Sequence, residues 1–148
     1  MAHSISGLLT SFKYEGELPY RRCSENFSFI PYDRGQEHDA QVMPPFDELT
    51  AEAEKLGKDL SSQGAVAFVE TEYFGGIGVQ AAIVWLNGDV ALGPLTDWEN
   101  AAFSPVSHPI NQALQLMGVV CSGGEDEFDT VGLGQFRSNE AALRPKTI

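Results

Sequence analysis

The chain has 148 residues, 43% of them apolar, and sets 21 acidic side chains against 9 basic ones for a net charge of −12. That length suits one α+β domain spanning residues 1–148, able to bury roughly 68–70% of the surface its unfolded form exposes. The charge excludes nucleic acid, anionic lipid and phosphorylated compounds as favoured partners and favours cationic ones.

No stretch reaches the roughly 20 apolar residues of a membrane span, and the first residues, MAHSISGLLTSFKYEGE, lack the basic start and apolar run of a secretory signal. The expected location is a bacterial-type reducing cytoplasm. Cys23 and Cys121 are expected there as free, buried thiols, since two cysteines are no disulfide framework.

In chain order, Leu8, Thr10, Phe12 and Tyr14 alternate and predict an edge strand over 8–14. The adjacent Arg21 and Arg22 are expected to pair with carboxylates. NFSFIPY at 26–32 predicts a second short strand, which Pro31 confines to an edge or an end. Residues 33–43 show no period and read as a loop. His38-Asp39 within it resembles half of a catalytic relay, but with no nucleophile placed beside it the pair reads as solvated.

Phe46, Leu49, Ala53, Leu56 and Leu60 recur every three or four positions and predict a helix over 46–60. Asp47, Glu48, Glu52 and Glu54 sit early in it and Lys55 and Lys58 late, the order that complements the helix dipole.

Residues 65–92 predict a three-stranded antiparallel meander. Residues 65–69 are apolar, Glu70, Thr71, Glu72 and Tyr73 alternate, and β-branched and aromatic residues fill 79–86. Asn87-Gly88 satisfies the two positive φ angles of a type I′ turn. GIGVQA at 76–81 fits G-x-G-x-x-A, but that fingerprint must open a helix onto a pyrophosphate, and AAIVWL followed by Asn87-Gly88 leaves room only for a strand. A hairpin is therefore expected, and no cofactor.

Residues 94–108 read as a connection in which Trp98 stands between Asp97 and Glu99, either an interface anchor or a ring folded onto the core. Pro109, with Ile110, Ala113, Leu114 and Met117 on one side and Gly118 as the stop, predicts a second helix over 109–117, with His108 at its entry. A short buried strand is expected at 119–121 and a last strand at 130–136. Ser138 or Asn139 caps a short helix through Leu143. Glu125, Asp126, Glu127 and Asp129 form the densest acid cluster, which lacks the spacing of a calcium loop, so no metal is expected.

Between Lys58 and Arg137 the chain carries ten acids and no base. Keeping a domain in solution accounts for such charge equally well. The runs TEYFGGIGVQAAIVW, HPINQALQLMGV and DEFDTVGLGQFRSNE resemble small bacterial proteins that accompany toxin systems, several of which serve as immunity proteins. The resemblance implies a non-enzymatic inhibitor that covers a cognate basic toxin domain, commonly a nuclease.

The leading expectation is thus an acidic binding protein, monomeric or dimeric, with Asp97, Trp98, Glu99, Glu125, Asp126, Glu127 and Asp129 as its contact residues. The alternative is a small hydrolase or isomerase in which Glu70 and Glu72, on one strand face, act with His108 or Cys121. A third reading, a structural domain, would pair copies through the 8–14 edge.

Overall fold

The computed structural model describes residues 3–23, 26–33, 43–44, 46–74, 77–98, 109–121 and 126–143. Six strands form one antiparallel sheet: β1 (His3–Thr10), β2 (Arg21–Arg22), β3 (Ser28–Pro31), β4 (Val66–Phe74), β5 (Ile77–Leu86) and β6 (Asp89–Trp98), in the order β2-β3-β1-β4-β5-β6. The last three are the expected meander. Phe74 pairs with Ile77 across the first hairpin, and Asn87 (φ 52°) and Gly88 (φ 83°) turn the second as a type I′ connection. Because Ile77–Leu86 is a strand, no helix follows the GIGVQA run.

Apolar side chains leave both faces of this sheet. On one, Leu8, Ile30, Val66, Phe68, Ile83 and Trp85 pack with Phe46, Leu49 and Ala53, the last of these in α1 (Ala51–Leu60). On the other, Ile5, Leu9, Phe29, Ala67, Val69, Ala82 and Val84 pack with Ile110, Ala113 and Leu114 of α2 (Pro109–Leu116) and with Val131, Leu133 and Phe136. Covering on both sides is why 65–69 and 81–85 read as unbroken apolar runs rather than alternating ones. The α+β fold therefore has three layers. Two short helices, α3 (Glu127–Thr130) and α4 (Asn139–Ala142), and a 3-10 turn at Leu133–Gln135 complete the α2 side.

Several elements depart from expectation for identifiable reasons. The first helix starts at Ala51, not at 46, because the Thr50 hydroxyl caps it by accepting from the Ala53 N–H at 3.3 Å. Phe46 and Leu49 still reach the core, but from the lead-in. The first strand occupies 3–10 and lies inside the sheet, between β3 and β4, so it offers no edge to a second copy.

Residues 94–98, expected in a connection, continue β6, where the sheet's outermost position tolerates Pro94. Residues 119–121 are not a strand: Val120 is 82% exposed. Residues 130–136 form the end of α3 and the 3-10 turn, reversed at Gly132 with φ 91°. Neither cysteine is buried as expected, Cys23 being half-buried and Cys121 exposed, and both are free. Among the described residues no helix is long and apolar enough to cross a membrane.

Candidate functional site

The pairing register aligns polar residues at one end of the sheet. Ser4, Glu72, Val79 and Trp98 form one row across β1, β4, β5 and β6, and Ser6, Glu70, Ala81 and Thr96 form the row two residues further in. Alternation puts Glu70 and Glu72 on the α1 side with Phe68. Past the end of β3, β1 loses its neighbour, and the start of α4 takes that place, with the Ser4 N–H donating to the Arg137 carbonyl at 2.8 Å.

A cleft of about 480 Å³ opens there, lined by Ser4, Ser6, Asp33, Glu48, Ser138, Asn139 and Glu140. It adjoins a hollow of about 420 Å³ that shares Asp33, Asn139 and Glu140 and adds Tyr32 and Leu143.

Hydrogen bonds tie the floor of this cleft together. Asn139 Oδ1 accepts from the Ser6 N–H at 2.9 Å and its Nδ2 donates to Ser6 Oγ at 3.2 Å, while Ser6 Oγ donates to the Tyr32 carbonyl at 2.6 Å. Ser138 Oγ caps α4 by accepting from the Ala141 N–H at 3.0 Å. In the segment that carries Glu48, the Thr50 hydroxyl meets that of Tyr32 at 2.6 Å, and the Asp47 N–H donates to both oxygens of Glu70, at 3.1 and 2.9 Å. Serine and asparagine thus fix the backbone, and the carboxylates of Asp33, Glu48 and Glu140 stand around it. Such a hollow offers acceptors to a guanidinium or ammonium group.

The residues singled out by sequence fall elsewhere. Asp97 and Trp98, described by their backbone, pair with Gln80 and Val79 on the outermost strand. Gln80 Oε1 accepts from the Ile110 N–H at 3.2 Å, and the next residue, Asn111, donates to Asp126 Oδ2 at 3.1 Å and accepts from the Phe128 N–H at 2.9 Å. The first turn of α2 therefore links Gln80, the strand partner of Asp97, to the side chain of Asp126.

Glu127, however, is 7% exposed, with one oxygen lacking a partner among the described residues. A bond from the Cys121 thiol holds its carboxyl below the ordinary range, and the same bond pushes the thiol up to about 11. Asp129 lies in α3, described there by its backbone. Glu99, Glu125, His108 and the His38-Asp39 pair lie outside the described residues.

Cys121 does not join the two strand carboxylates. Glu70 and Glu72 share a face, but Cys121 bonds to Glu127 in α3, which packs on α2 across the sheet from Glu70. Arg21 does not use a carboxylate in its described contacts: its guanidinium lies 5.0 Å over the Phe136 ring and donates to the Ala142 carbonyl at 3.4 Å. Among the described residues no group of three His, Cys, Asp or Glu side chains is placed to hold a metal ion.

Sequence reasoning missed Asp33, Glu48, Asn139 and Glu140 as a group. Each is an ordinary polar residue in its own stretch, and only the topology brings them together. No family model, curated protein or solved structure matches the chain.

Proposed function

We propose that this chain is a non-enzymatic acidic binding protein that docks a basic protein partner at the polar end of its sheet, in the way an immunity protein covers a cationic toxin site. The cleft is the observation that carries this reading. Asp33, Glu48 and Glu140 come from distant parts of the chain to line one open hollow over a floor that is already hydrogen-bonded. Three carboxylates over a floor already tied by hydrogen bonds can accept charge-assisted bonds from lysine or arginine.

Glu70, Glu72 and Asp126 extend the negative field around this end and steer approach. The backbone of Trp98 ends β6 in the same row of the sheet as Ser4 and Glu72. Buried Glu127 belongs to the fold rather than to the contact.

The test is capture of a companion from the source organism by the tagged wild type and by the D33N/E48Q/E140Q variant. One basic protein should be retained by the wild type at low salt, released by about 0.5 M salt and absent from the variant. Equal retention by the variant, or a bound small molecule and no basic companion, would contradict the reading.

A further inference from the structure

We propose that Asn87 is a site of spontaneous covalent modification, deamidation through a cyclic imide, and that the buried hydroxyl of Ser61 is the guard that sets its rate. Of the five asparagines in the sequence, Asn87 alone precedes a glycine; Asn26, Asn100, Asn111 and Asn139 precede Phe, Ala, Gln and Glu. The reaction joins an asparagine side chain to the backbone nitrogen that follows it, and a glycine at that position puts no side chain in the way. Asn87 is exposed, and a Cβ built on Gly88 would meet nothing within 4 Å, so water and base reach this turn from outside.

The inner side of the turn is closed. The Asn87 N–H donates to the Ser61 carbonyl at 2.9 Å, and the Gly88 N–H donates to Ser61 Oγ at 2.8 Å. Ser61 is the C-cap of α1 and fully buried, and its hydroxyl donates in turn to the Lys58 carbonyl at 2.6 Å. With its hydrogen given to Lys58, the Ser61 oxygen has only lone pairs to offer Gly88. The nitrogen that must attack is thereby held as a donor, its proton turned inward and away from base.

The amides on either side of the Asn87 Cα are tied to one residue, which fixes Asn87 in the turn's own conformation, with φ 52°. Ring closure needs rotation about the Cα–C bond of Asn87 to bring the Gly88 nitrogen onto the side-chain carbon. The turn must first let go of Ser61.

Once it does, base removes the Gly88 amide proton and the nitrogen's electron pair forms a bond to Asn87 Cγ. The side-chain nitrogen takes a proton from water and leaves as ammonia. The imide then takes up one water and opens at either carbonyl, giving aspartate or isoaspartate. In sum one water is consumed and one ammonia released, a gain of about one dalton and of one negative charge. Either product sets a carboxylate close to Asp89, and the isoaspartyl form also lengthens the main chain by one carbon, which breaks a two-residue turn. This turn lies at the opposite end of the sheet from the cleft, so the chemistry stands or falls separately from docking.

The test is peptide mapping by mass spectrometry, with released ammonia measured alongside, on the full chain aged at mildly alkaline pH. Three samples are compared: folded wild type, folded Ser61→Ala, and wild type unfolded in urea. Conversion in the folded wild type should centre on Asn87. Loss of the bond to Gly88 should speed it about ten-fold in Ser61→Ala, with a matching rise in exchange of the Gly88 amide, and unfolding should speed it at least as much.

Equal rates in wild type and Ser61→Ala, or conversion centred on another asparagine of the folded chain, would overturn the proposal. If Ser61→Ala does not fold, the wild type decides alone: a folded rate equal to the unfolded one removes the guard, and an Asn87 that stays intact in urea removes the site.

Discussion

Cys121 stands at the surface, yet its thiol donates to a buried carboxylate. The bond to Glu127 raises it to about 11 from 9.0, which leaves about a hundred-fold less thiolate at neutral pH than a free cysteine carries. Exposure and reactivity therefore part company at this residue. Alkylation by iodoacetamide should be slow in the wild type and about ten-fold or more faster in Glu127→Gln, where the negative charge is gone. Equal rates would show that the carboxylate does not control the thiol.

The same logic separates Glu70 from Glu72, two residues apart on one strand face. Glu72 is exposed, whereas Glu70 is half-buried with both oxygens engaged. That they share a face was legible from strand alternation. Their different surroundings were not, because the lead-in to α1 that covers one and spares the other is distant in sequence.

Among the elements, α1 and β5 are fitted to each other at Gly57. A Cβ there would run into the Trp85 ring and approach Leu8 Cδ2 at 3.1 Å. Trp85 is fully buried, and its Nε1 has no hydrogen-bond partner among the described residues, so packing sets its position. Gly57→Ala gains about 1 kcal/mol of helix propensity but overpacks this contact, which costs about 1–3 kcal/mol. A lowered urea midpoint, equivalent to a net loss of up to about 2 kcal/mol, is expected; a raised midpoint would mean that the helix stands off from the ring.

The long elements were readable because local chemistry and period agreed. Asn87-Gly88 turns as its φ preferences require, and Pro109 opens α2. The short ones were not. Residues 119–121 and 130–136 are apolar runs too brief to carry a period, and Gly132 turns the second of them into coiled segments rather than a strand. The interior place of β1 was also hidden, since alternation states which faces are wet but not which strands flank them.

At the scale of the whole molecule, charge is unevenly placed among the described residues. At the end of the sheet where β1 begins stand Asp33, Asp47, Glu48, Glu70, Glu72 and Glu140, with Arg137 the described base beside Ser4. Lys58 lies in the last turn of α1, whose cap Ser61 accepts from the Asn87 N–H at the opposite end, and Lys13 and Arg22 lie toward that end too. There Asp59 and Asp89 share the surface with them. Excess charge was legible in the sequence, as the base-free interval after Lys58. Its focus was not, because three of the cleft acids, Asp33, Glu48 and Glu140, lie outside that interval.

The most direct measurement is a chemical-shift titration of the labelled chain with a tetralysine peptide at low ionic strength. Shifts should concentrate on Ser4, Ser6, Glu48, Glu72 and Asn139 and collapse in about 0.5 M salt. Shifts spread evenly over the carboxylates, or centred on the 87–89 turn, would contradict an acidic end built to receive a cation.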